Sequence, residues 1–167
     1  VGAARKRVDA MAEAGCVYIG FGAESASPAV LRAMGKGGQM LLNGVERVNS
    51  FNLPRAMLEG YRNTIAAGLH GNCTWICGYP GEGLHELQHS VAFIAWQMSL
   101  GLPDKAINKK FFIATAYPGT ELFRHAKVRA CITDGFGVNF DAAGEPVCDD
   151  SLLSYVLQLD DADQILT

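Results

Sequence analysis

GFGAESASPAVLRAMGKG, residues 20–37, carries an apolar run into a helix. Cys16 to Phe21, with Val17, Tyr18 and Ile19, is short and β-branched or aromatic in character, and reads as a buried strand. Gly22-Ala23 leaves the strand. Ser27-Pro28 pairs a capping side chain with a residue whose fixed φ suits a first helical turn, so a helix runs from there through Met34. Gly35-Lys36-Gly37-Gly38 breaks it. The glycines do not make a dinucleotide turn. The third glycine of G-x-G-x-x-G would fall where Ser25 stands, and Gly20 lies inside the strand. What remains is a strand-to-helix crossing with one carboxylate, Glu24, at the strand's end.

Working outward, the alternation recurs. Residues 3–14 form a helix with Val8, Met11 and Ala12 on one face, ended by Gly15. Beyond the glycine break, Leu41, Val45 and Val48 continue a helical pattern, and Asn52-Leu53-Pro54 interrupts it. Pro54 opens a third helix, with Met57, Leu58, Tyr61 and Ile65 on one face and Gly68 at its end. Thr74 to Cys77 is the next strand, entering Gly78-Tyr79-Pro80-Gly81-Glu82. Leu84, Leu87, Val91, Ile94 and Met98 recur at spacings of three and four and mark the buried face of a long helix, stopped by Gly101-Leu102-Pro103. Lys110 to Thr115 is a third strand, entering Ala116-Tyr117-Pro118-Gly119-Thr120. Helices follow at 121–127 and around 152–159.

Strands alternating with helices predict an α/β fold built on a parallel sheet with covering helices. The Tyr-Pro-Gly echo at Tyr79 and Tyr117, 38 residues apart, has the period of one strand–helix unit. Glu24 and Glu82 are 58 residues apart, so the first unit carries an insertion at about 38–54. Ligands of parallel sheets sit at the carboxyl ends of strands. GAES, GYPGE and AYPGT are therefore the candidate ligand-facing turns, with plain tight turns as the alternative.

The 167 residues suit one domain, and 49% apolar residues can fill a core. No apolar run reaches the ~18 residues of a membrane span. Arg5-Lys6-Arg7 leads into Asp9 and Glu13 rather than a signal-peptide core. The chain opens on Val1 without Met and ends on Leu166-Thr167 without a cap, which reads as a piece of a longer protein. Residues 1–130 hold 14 basic and 9 acidic side chains; residues 131–167 hold 8 acidic and no basic ones. Such asymmetry is ordinarily two solvated surfaces. With no basic cluster interleaved with aromatics, nucleic acid is not an expected partner. Five cysteines at wide spacing, without a secretory signal, fit reduced thiols in a cytoplasmic protein.

His85-Glu86-Leu87-Gln88-His89 matches the H-E-x-x-H helix of zinc peptidases. At about 100° per residue, both histidines fall on the side opposite the expected apolar stripe and so toward solvent. The places where a metzincin would continue with glycine and histidine hold Ala92 and Ala95, and Glu121 is the candidate third ligand. Cys73 and Cys77 share a strand face as small core residues; a third cysteine in an iron–sulfur triplet would stand where Pro80 is. Ser25 and Ser27 have no histidine near them in sequence, and Ser27 already caps. Lys36, among glycines, reads as a soluble turn residue, with a ligand contact as the alternative.

Three stretches taken together resemble the radical S-adenosylmethionine enzymes. GAESASPAVLRAMGKG is similar to the segment after that family's fourth barrel strand, TWICGYPGE to the fifth and FFIATAYPGTELF to the sixth, in the right order over about residues 1–125. The likeness is nearest to the branch that often carries a cobalamin-binding domain, and to methylthiotransferases. It implies the C-terminal half of a partial (β/α)6 barrel in residues 1–130, with strands four to six, followed by an acidic extension, 131–167. It also implies reductive cleavage of S-adenosylmethionine at a [4Fe–4S] cluster to give a 5′-deoxyadenosyl radical, with an electron donor such as flavodoxin or ferredoxin. The CxxxCxxC cluster loop is absent from this chain, so the cluster ligands, and any cobalamin site, would lie outside it. By position, Glu24 would contact the ribose hydroxyls beside Ser25, while Ile76, Gly78, Ala116 and Tyr117 would line the adenine side. The alternatives are a zinc peptidase through His85, Glu86 and His89, and a non-catalytic α/β module.

Overall fold

The computed structural model describes residues 2–102 and 106–165, in two compact units, Val1–Ile113 and Ala114–Thr167. The first unit contains α1 (Gly2–Glu13), β1 (Tyr18–Glu24), α2 (Pro28–Ala33), α3 (Gly37–Met40), β2 (Val45–Val48), β3 (Phe51–Pro54), α4 (Arg55–Ala66), β4 (His70–Cys77), α5 (Leu84–Ser99) and β5 (Phe111–Ile113). It is an α/β unit around a parallel sheet in the order β1-β4-β5. Each new strand is laid on the same side of the last.

Both covering helices pack on one face of that sheet. Met57, Leu58 and Tyr61 of α4 and Phe93, Ile94 and Trp96 of α5 share a core with Ala23, Cys73 and Trp75 of the strands. Trp75 meets Phe93 edge-on at 5.5 Å, and Tyr61 meets Trp96 at 5.9 Å. The other face follows from the pleat. Register pairs Tyr18 with His70, Gly20 with Asn72 and Ile76 with Phe112. Tyr18, Gly20, His70, Thr74 and Phe112 are exposed there.

Two expectations are corrected. Residues 41–48 do not continue a helix: β2 and β3 form an antiparallel hairpin joined at Asn49-Ser50, with Asn49 left-handed at φ 54°. Gly44, at φ 72°, ends the helical path before Val45, and Val45 to Val48 then alternates as a strand. The buried face of α5 is also turned away from the expected stripe, of which Ile94 is buried and Leu87 half-buried. Leu84 is 73% exposed, and Val91 and Met98 are exposed, while His89, Ser90, Phe93, Trp96 and Gln97 are buried. This helix is apolar on both sides. Burying Phe93 and Trp96 removes more apolar area from water than burying Val91 and Met98. Ser90 is drawn inward as well, because its hydroxyl accepts the Ala26 N–H at 3.0 Å. Pro103, expected to stop the helix, lies outside the described residues.

The second unit holds α6 (Glu121–Arg124), α7 (Ala126–Phe136) and α8 (Asp150–Ile165). Ala116, Phe123, Ile132, Val138 and Tyr155 form its core. Thr120 caps α6 by accepting from Phe123 N–H at 3.2 Å, and Gly137, left-handed at φ 71°, closes α7. No helix among the described residues is long and apolar enough to cross a membrane.

Candidate functional site

Glu24 ends β1 in the left-handed region, at φ 60°, where the pairing register with β4 shifts. A non-glycine residue there costs about 1–3 kcal/mol, and such strain gathers at sites where a side chain must be aimed. The bulge turns Glu24 out of the pleat. Its carboxylate lies over Gly22, where an added Cβ would stand 3.1 Å from Oε1. That places it on the open face, although the side chain retains only 18% exposure.

Lys36 Nζ donates to Glu24 Oε1 at 2.7 Å. The reach comes from the end of α2. Met34 N–H bonds Val30 O, and Lys36 N–H bonds back to Leu31 O at 2.9 Å. Gly35, left-handed at φ 71°, makes that reversal. Glu24 Oε2 has no hydrogen-bond partner among the described residues.

Ser25, Ile76 and Gly78 surround this point in different ways. Ser25 is fully buried, and its hydroxyl accepts the Ser27 N–H at 3.1 Å, so it shapes the turn. Ile76 lies on the open face one strand away, half-buried and paired with Phe112. Gly78, at φ 81°, donates its N–H to Glu82 Oε2 at 2.6 Å, which closes the GYPGE loop with its own carboxylate. Tyr79 reaches across and donates its hydroxyl to Ala33 O at 3.2 Å. Asn72 Oδ1, opposite Gly20, is buried without a partner. Sequence reasoning favoured Lys36 as a turn residue, with a ligand contact as the alternative, and gave Tyr79 no contact with α2. The signal available for Lys36 was its place directly after a helix-ending glycine.

Ala116 and Tyr117 belong to the second unit. Ala116 is buried, and its carbonyl accepts the Tyr155 hydroxyl at 2.8 Å. Tyr117 is exposed, and its carbonyl accepts from Thr120 Oγ1 at 2.6 Å.

Among the described residues, the H-E-x-x-H helix belongs to no group of three or more metal-ligating side chains. His89 is 9% exposed rather than solvent-facing, and its Nδ1–H donates to His85 O at 3.0 Å. Glu86 accepts the Gly83 N–H at 3.0 Å as part of the helix cap; its own backbone N–H and that of Gly83 hold its carboxyl below the usual range. Among the described residues, no group of three or more His, Cys, Asp or Glu is placed to hold a metal ion. Cys73 sits in the core, where burial pushes its thiol up to about 12.

The chain is similar to a protein of Pyrococcus horikoshii named as an uncharacterized methyltransferase, at 33% identity over 121 residues. The match takes in 72% of this chain and 22% of that relative, so the chain spans about a fifth of the relative's length. No family model matches the chain, and no solved structure matches it.

Proposed function

We propose that this chain is part of the catalytic barrel of a radical S-adenosylmethionine enzyme, and that Glu24 accepts hydrogen bonds from the ribose of S-adenosylmethionine. The observation that carries this reading is a strained carboxylate at the carboxyl end of a parallel strand, aimed over a glycine with one oxygen unpartnered. A carboxylate suits a ribose diol because it accepts from both hydroxyls and needs no proton. The sheet supports the barrel part of the proposal. Strands added in one direction, with both helices on one face, are the pattern of a barrel segment rather than of a doubly wound sheet. The relative's name supports a protein that handles a methyl donor.

The residues present fit the nucleoside part of the cofactor. Gly22 adds no side chain beside Glu24, the Tyr18 ring lies over Gly20, and Asn72 Oδ1 is a buried acceptor without a partner. The cofactor, when bound, supplies an electrophilic methyl group or, on one-electron reduction, a cleavable sulfonium. This chain's part is to hold the ribose and to leave the open sheet face clear. The [4Fe–4S] cluster does not fit the described residues, whose cysteines are dispersed and in one case buried in the core. Cobalamin and a flavodoxin or ferredoxin donor belong to the same proposal and depend on other residues.

The test is calorimetric binding of S-adenosylmethionine to the full-length protein that contains this chain. Glu24→Gln should weaken binding by about tenfold, the scale of a hydrogen bond to a charged group. An unchanged dissociation constant sinks the ribose assignment.

A further inference from the structure

Glu24 is held by a second layer of the fold. We infer that Lys36 is the positioning residue for the Glu24 carboxylate and that Tyr79 sets the position of Lys36, an inference that rests on the ribose reading above. The chain of contacts is short. Tyr79, in the loop leaving β4, donates its hydroxyl to Ala33 O, the last residue of α2. Two residues on, Gly35 turns left-handed and sends Lys36 back toward β1. The ammonium then meets Glu24 Oε1 at 2.7 Å. Gly22 leaves room beneath: a Cβ there would lie 3.1 Å from Glu24 Oε1 and 3.8 Å from Lys36 Nζ. A Cβ at 22 would make the Glu24 carboxylate give way by a few tenths of an ångström.

The pair is not explained by stability. Lys36 keeps 43% of its side-chain exposure, and ion pairs this wet add little to a fold. What the ammonium does is fix one carboxylate oxygen, so that the other is presented at a set angle. Loss of that restraint leaves a charged acceptor at the strand end, free to turn about its side-chain torsions. Recognition of a diol by one planar group depends on that angle. The strand ends of β1 and β4 are thereby coupled: the GYPGE loop holds the helix end that holds the carboxylate.

The experiment uses the full-length protein with two probes, S-adenosylmethionine and its 2′,3′-dideoxy analogue, measured by calorimetry. Lys36→Met should weaken S-adenosylmethionine binding about fivefold, Tyr79→Phe should act in the same direction, and Lys36→Arg should restore most of the loss. Neither Lys36→Met nor Tyr79→Phe should change binding of the dideoxy analogue. In a Glu24→Gln background, Lys36→Met should have no further effect. The positioning role is overturned if Glu24→Gln weakens binding while Lys36→Met and Lys36→Gln do not, or if Lys36→Met weakens both probes alike. If Glu24→Gln is itself silent, the ribose reading fails and takes this inference with it. Thermal unfolding of each variant identifies any that fails to fold, and Lys36→Arg then decides: near-normal discrimination between the two probes supports positioning, and lost discrimination overturns it.

Discussion

His89 stands edge-on to Phe51 of β3, with ring centroids 5.0 Å apart and planes at 70°. The imidazole is thus a core aromatic that pins the hairpin to α5. His89→Ala should lower stability by about 1–3 kcal/mol, the scale of a lost buried ring contact and hydrogen bond. His85→Ala, at an exposed position, should stay within about 0.5 kcal/mol. Both tryptophans, Trp75 and Trp96, lie in this core, so denaturation followed by tryptophan fluorescence reads the right unit. Equal effects of the two substitutions would contradict the assignment, as would stoichiometric zinc lost with His85.

The two Tyr-Pro-Gly turns fold alike. Gly81 has φ 88° and Gly119 has φ 86°, and each turn is closed by a bond to the tyrosine carbonyl, from Glu82 N–H at 2.9 Å and Thr120 N–H at 3.1 Å. Proline followed by a left-handed glycine is the type II pattern. Gly81→Ala and Gly119→Ala should each cost about 1 kcal/mol or more, because a Cβ strains this backbone. Gly38→Ala, in α3 with open space around it, is the control and should be neutral or slightly stabilising. Thermal unfolding of the three variants checks the order.

Cys73 should resist alkylation in the native state, while exposed Cys131 and Cys148 react readily. Mass spectrometry after a timed iodoacetamide pulse checks this. The same burial makes stability pH-dependent. The folded thiol titrates at about 12 against 9.0 for an ordinary cysteine, so the folded form holds its proton longer. Its contribution is complete below pH 9.0 and is lost between there and about 12, by at most roughly 1.4 kcal/mol for each unit of separation. Cys73→Ala should flatten that alkaline limb; an unchanged limb refutes the account.

Asp149 caps α8. It accepts from Ser151 N–H at 3.0 Å, Leu152 N–H at 3.2 Å and, through its other oxygen, Asn139 Nδ2 at 3.0 Å. The Ser151 hydroxyl, Asn139 and these backbone donors bring its carboxyl down to about 2 from 3.8. A depressed folded value means stability present above 3.8 and lost as pH falls toward 2. The helical circular dichroism signal of the second unit should therefore decline over that window. Asp149→Asn should remove this pH dependence.

The strand-to-helix turns were legible because their residues dictate their own geometry. Ser27-Pro28 and the two Pro-Gly pairs need no partner to bend the chain as they do. The hairpin was illegible because Leu41, Val45 and Val48 satisfy a helical period, and only Gly44 and Asn49 argue otherwise. The face of α5 could not be read from spacing when both sides are apolar; the decision lay with Phe93, Trp96 and the Ser90 bond to a segment 64 residues away. Glu24 could be singled out as the carboxylate at the end of the first strand. Its pairing with Lys36 could not, since it depends on a helix end folding back over a bare strand.

The bare side of the sheet has a practical consequence. Tyr18 and Phe112 remain in water there, and among the described residues β1 and β5 each have one paired neighbour. Unpaired edges beside apolar rings are a template for adding strands. Expressed by itself, this stretch should behave as a colloid problem before it behaves as a folding problem. Its light scattering will rise with concentration, and a solubilising fusion will change its yield more than lowered temperature does.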